Sequence, residues 1–118
     1  MRILSMLFAI LISASLPVPH AFADGDAAKG KALFTDAGAF EGRKACNECH
    51  PGGRGLEKAG AKSTFKIMGR TQNSLEEAVN FCIVNANRGK MIDPKSKEMQ
   101  DMVAYIKSLG KAAAPAYR

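Results

Sequence analysis

The sequence predicts an all-α fold, on three observations. Apolar residues recur at helical spacing in two stretches: Leu75, Ala78, Val79, Cys82, Ile83 and Ala86, then Met99, Met102, Val103, Ile106 and Leu109. No stretch alternates apolar and polar residues as a half-buried strand would, so no strand is expected. Ahead of both stretches, Cys46-Asn47-Glu48-Cys49-His50 spells C-x-x-C-H, the attachment sequence of a c-type haem. Two thiols three residues apart on a helical turn face the same way, and each can add to a porphyrin vinyl group as a thioether. The histidine that follows then lies under the ring with a nitrogen able to bind the iron. The expected architecture is a few helices wrapped around one covalently bound haem, with no repeat and no second domain.

The 118-residue chain opens with Arg2, an apolar run from Ile3 to Leu16, a break at Pro17-Val18-Pro19 and a small-residue site at Ala21-Phe22-Ala23. Residues 1–23 therefore read as a cleaved secretory signal peptide, which implies a periplasmic location. The run is shorter than the ~20 residues of a transmembrane helix. Cleavage would leave 95 residues carrying 16 basic and 11 acidic side chains, a net charge of +5. Such a balance suits acidic partner proteins or anionic lipid, and equally plain solubility. It lacks the aromatic-and-basic platform of a nucleic-acid binder. His20 leaves with the signal, so His50 becomes the only histidine. Bis-histidine ligation within one subunit is thereby excluded.

A cytochrome-sized domain is expected over residues 24–110. Asp26 is a natural N-cap for a first helix through Ala27–Phe34. Gly30 within it costs about 1 kcal/mol against alanine, which implies close approach by another helix. The glycines and proline from Pro51 to Gly60 mark a loop able to follow the rim of a flat ligand, with Arg54, Lys58 and Lys62 as candidate propionate partners. Ser63–Arg70 reads as a short helical turn. Ser74 and Glu77 form a capping box that opens the next helix, with Gly89 as its end signal. Ser96 caps the last helix, about Lys97–Leu109, ahead of Gly110. The alanine-rich residues 111–118 are expected to form a flexible tail.

With these features in order, the chain resembles the class I c-type cytochromes. In that family a glycine and an aromatic of the first helix pack against an aromatic of the last, and Gly30, Phe34 and Tyr105 match those positions. The resemblance spans Asp26 to Leu109. A narrower likeness lies in Glu77-Ala78-Val79-Asn80-Phe81-Cys82-Ile83, Gly89-Lys90, Ser96-Lys97-Glu98-Met99 and Ala104-Tyr105-Ile106. This order resembles the haem domains of sulfur-oxidising cytochromes such as thiosulfate dehydrogenases. It also resembles the small His/Cys-ligated dimeric cytochromes of anammox bacteria, which bind nitric oxide and carbon monoxide. The resemblance implies Cys82 as the distal iron ligand opposite His50.

The residues themselves leave the distal side open. Cys82 is the odd cysteine once Cys46 and Cys49 are bonded. It can be a small buried hydrophobe on its helix stripe, half of an intersubunit disulfide, or a thiolate on the iron. Met91 is the alternative, since it lies where class I cytochromes usually carry a methionine ligand, although Ile92 stands where they often have proline. Met68 is a further candidate, and Met99 and Met102 read as core. A methionine ligand raises the haem potential; a thiolate donates charge, stabilises ferric iron and lowers it.

The first functional reading is an exported monohaem cytochrome that transfers single electrons to and from redox partner proteins, with Cys46 and Cys49 as haem anchors and His50 as proximal ligand. One alternative is a haem-based binder or sensor of NO or CO through an exchangeable Cys82. Another is a haem subunit of a sulfur-compound oxidising system, which would need a homo- or hetero-dimer because this chain has a single haem motif. No acid–base pair or activated nucleophile stands out, so a carrier or gas-binding cytochrome is expected rather than an enzyme.

Overall fold

A computed structural model of the chain describes residues 25–112. The expected signal peptide and the end of the expected tail, residues 113–118, lie outside them. Among the described residues four helices carry the fold: α1 (Ala27–Thr35), α2 (Cys46–Cys49), α3 (Leu75–Asn85) and α4 (Lys97–Ala112). Single 3-10 turns at Pro51–Gly53 and Ala59–Ala61 lie in the loop after α2. The all-α class stands.

Helix α1 starts where expected. The Asp26 carboxylate accepts from the N–H groups of Ala28 and Lys29 at 2.9 and 3.1 Å, which satisfies two of the unpaired donors of a helix start. Its main partner is α4. The crossing is set by Gly30, where a Cβ would overlap the Asp101 carbonyl and come within 2.9 Å of Tyr105 Cβ. Phe34 and Tyr105 meet edge to face, ring centroids 5.1 Å apart. Asp101 fastens the same crossing: it is 4 % exposed, accepts from Asp26 N–H at 2.6 Å and pairs with Lys97. The Lys97 ammonium, and then the Asp26 N–H, hold its carboxyl below the usual aspartate range.

One stretch departs from expectation. Ser63–Arg70 is not a helical turn. Phe65–Ile67 and Arg70–Gln72 form a two-stranded antiparallel hairpin, Phe65 opposite Gln72 and Ile67 opposite Arg70, so the expectation of no strand was also wrong. The connection is Met68-Gly69, with φ of 49° and 77°, the pair of positive values that a two-residue hairpin turn prefers.

Helix α3 is capped by Ser74, whose hydroxyl accepts from Glu77 N–H at 3.1 Å. The Glu77 carboxylate reaches back one residue further than in the standard box, to Asn73 N–H at 2.8 Å. The helix ends at Asn85, four residues before Gly89, and the Gly89 N–H returns to donate to the Ile83 carbonyl of its last turns at 2.8 Å. Gly89 also packs close, since a Cβ there would lie 2.7 Å from the Phe40 carbonyl. Ser96 caps α4 through Met99 N–H at 3.2 Å. That helix runs through Gly110 to Ala112, so Lys111 and Ala112 are helical and not tail. The core joins Phe34, Phe65, Leu75, Val79, Ile83 and the α4 stripe from Met99 to Ile106.

Candidate haem site

The two residues between the cysteines shape the turn that carries them. Glu48 accepts from Ala45 N–H at 3.0 Å, which caps the start of α2. Asn47 accepts from Gly52 N–H at 2.9 Å, which folds the chain back after His50. Cys46 is half-buried and Cys49 is exposed. The buried Asn87 donates to Cys46 Sγ at 3.3 Å. Burial pushes the Cys46 thiol up, with the Asn87 hydrogen bond opposing it.

His50 Nδ1 lies 3.0 Å from the Arg54 carbonyl oxygen. A carbonyl only accepts, so Nδ1 carries a proton, which in the neutral ring leaves the lone pair on Nε2. This is the tautomer an iron ligand needs, held by a backbone partner on its far nitrogen. Gly55, with φ of 86°, turns the chain directly after that carbonyl. Its N–H is tied by Glu57 at 2.9 Å.

Cys46 and His50 open onto a cavity of about 1340 Å³, larger than the ~300–1,000 Å³ of most small-molecule sites. Its apolar walls come from every part of the fold: Phe34 of α1, Leu56 of the loop, Phe65 and Ile67 of the hairpin, Val79 of α3, Ile106 of α4. Cys82 lines the same cavity. Its thiol is pushed up by burial, then by the nearby Cys46 and Cys49. Among the described residues five lysines border the space, Lys58, Lys62, Lys66, Lys107 and Lys111, with Glu57 as the sole acid.

A family model described as SoxA/TsdA, cytochrome c domain, matches residues 29–113. The chain belongs to that family. No curated protein and no solved structure matched it. This SoxA/TsdA-type cytochrome c domain carries covalently bound haem c and serves electron transfer with redox partner proteins. The chain's own residues fit the group. A large apolar cavity opens beside a C-x-x-C-H turn, a histidine is fixed in the ligating tautomer, and cations stand at the edge for the propionates. When bound, the haem supplies an iron centre that takes up and releases one electron; the chain anchors it, excludes water and sets its electrostatic surroundings.

The other expected residues sort by position. Lys58 and Lys62 border the cavity; the Arg54 side chain does not, and Arg54 contributes its backbone carbonyl to His50 instead. Met102 is buried in the core and also lines the cavity. Met91 and Met68 lie outside the lining and are 68 % and 74 % exposed. Sequence reasoning missed the Arg54 carbonyl and Asn87. A backbone carbonyl has no side-chain signature at all, and in the sequence Asn87 is indistinguishable from an ordinary helix-end asparagine.

Proposed function

We propose that this cytochrome is an exported one-electron carrier with its haem tethered by Cys46 and Cys49 and its iron held between His50 and Cys82. The observation that carries the ligand pair is the shared cavity: Cys46, His50 and Cys82 line it and Met91 does not. Charge donation from a thiolate stabilises ferric iron, so the carrier works at low potential. The five lysines at the cavity border favour partners with an acidic docking face, by steering their approach. Electron paramagnetic resonance of the oxidised protein tests the pair. A low-spin thiolate signature that disappears in Cys82→Ala is expected, and an unchanged spectrum in that variant would refute it.

The family match favours a second reading, a haem subunit of a sulfur-compound oxidising system. With a single haem motif in this chain, that role calls for a second haem-bearing chain. Turnover of thiosulfate with an electron acceptor, measured with and without such a partner, decides it; no turnover in either case leaves the carrier.

A further inference from the structure

The helix that presents Cys82 also grips the segment that carries Met91. Asn80 is 4 % exposed, and both ends of its amide are paired with one residue. Nδ2 donates to the Ile92 carbonyl at 2.8 Å and Oδ1 accepts from the Ile92 N–H at 3.0 Å. A second tie holds the residue before Met91: Lys90 N–H donates to the Phe40 carbonyl at 2.8 Å, and the Lys90 ammonium pairs with Glu41 at 2.6 Å. Met91 is thus bracketed by two anchored residues, and its side chain points into solvent. At about 100° per residue, Asn80 lies roughly 160° around α3 from Cys82. The other α3 residues of the cavity, Leu75, Ala78 and Val79, lie within about 60° of it. One helix therefore turns its thiol to the cavity and its amide to the Met91 segment on nearly the opposite side.

We propose that Asn80 is a positioning residue that selects the axial ligand. By clamping Ile92 behind α3 it keeps Met91 out of the haem cavity and reserves the second face of the iron for Cys82. This rests on the Cys82 reading above. An amide suits the task because it answers a donor and an acceptor of the same residue at once. An alanine would leave both Ile92 groups to solvent and free the segment to move. A thioether is a good ligand for haem iron, so confinement, and not ligand chemistry, is what keeps Met91 out.

The test uses the haem-loaded protein. The readouts are the far-red thioether–iron charge-transfer band and the reduction potential, neither of which a merely structural asparagine would move. The band is expected to be absent in the wild type and in Cys82→Ala. It is expected to appear in Cys82→Ala with Asn80→Ala, with an upward shift in potential, and to vanish when Met91→Leu is added. Asn80→Asp in the Cys82→Ala background keeps the acceptor and loses the donor, and should show part of the band. If the folded double variant lacks the band, or Cys82→Ala alone already shows all of it, the clamp is refuted while the Cys82 reading stands. A band that survives Met91→Leu comes from Met102 and also refutes the clamp. Should the double variant fail to hold haem, a complete absence of the band in the Asn80→Asp form refutes it. A wild-type band lost on Met91→Leu refutes the Cys82 reading itself.

Discussion

Gly30 decides how closely the first and last helices cross. Its missing Cβ is the space that the Asp101 carbonyl occupies. Gly30→Ala gains about 1 kcal/mol of helix propensity and loses more than that, because backbone and not a flexible side-chain end must yield. Overpacking of this kind costs about 1–3 kcal/mol, so a net loss is expected as a lower denaturant midpoint of the haem-loaded protein. The role of this glycine was legible in the sequence, since a glycine in a helix of good formers needs a reason. The partner of His50 was not. Any residue supplies a carbonyl, and only the loop path through Gly55 brings that of Arg54 within 3.0 Å of Nδ1. Asn80 was hidden for a related reason: it lies off the apolar stripe of α3, where a polar residue is ordinary, and its two hydrogen bonds to Ile92 join segments twelve residues apart.

At the scale of elements, the α1–α4 crossing is fastened by a buried carboxylate that no apolar pattern announces. Asp101 lies on α4 beside its hydrophobic stripe, and its partners Asp26 and Lys97 hold its pKa below the unfolded value. The linkage has one sign. The stabilisation is fully present above the unfolded aspartate pKa of about 3.9, and it is lost as pH falls through the lower folded value. Asp101→Asn should therefore flatten the acid limb of a stability–pH profile below about pH 4, while the wild type steepens there. Asp101→Ala removes the acceptor of the Asp26 N–H and should cost about 2 kcal/mol at neutral pH by denaturant titration. Ser74→Ala removes the α3 cap and should cost about 1 kcal/mol in the same assay. The three helix starts were legible because Asp26, Ser74 and Ser96 carry capping chemistry in their side chains. The hairpin was not legible. Its strands have three residues each, the second, Arg70-Thr71-Gln72, has no apolar residue, and Met68 takes the turn position where asparagine or aspartate is usual.

The whole molecule is a set of helices closed around a space that its own side chains do not fill. The cavity of about 1340 Å³ takes its walls from α1, α3, α4, the hairpin and the loop after α2, so the haem of this cytochrome is part of its core. The sequence announced that haem through three residues. It could not announce the second face of the iron, because Cys82, Met91 and Met102 are all chemically able, and only the fold shows that Cys82 and Met102 line the cavity while Met91 does not. The lysines at the cavity border belong to this scale as well. Among the described residues none of the five forms an ion pair. Replacing Lys62 and Lys66 by glutamate should slow electron exchange with an acidic redox partner at low salt, and raising the ionic strength should shrink the difference. The central claim, that His50 and Cys82 hold the iron from its two faces, is tested most directly by one absorption measurement. It follows the far-red charge-transfer region of the oxidised protein in the wild type, Cys82→Ala and Met91→Leu. With Cys82 on the iron, the wild type shows no thioether–iron band, Met91→Leu leaves the spectrum unchanged and Cys82→Ala changes it. A wild-type band that persists in Cys82→Ala and disappears in Met91→Leu would contradict it.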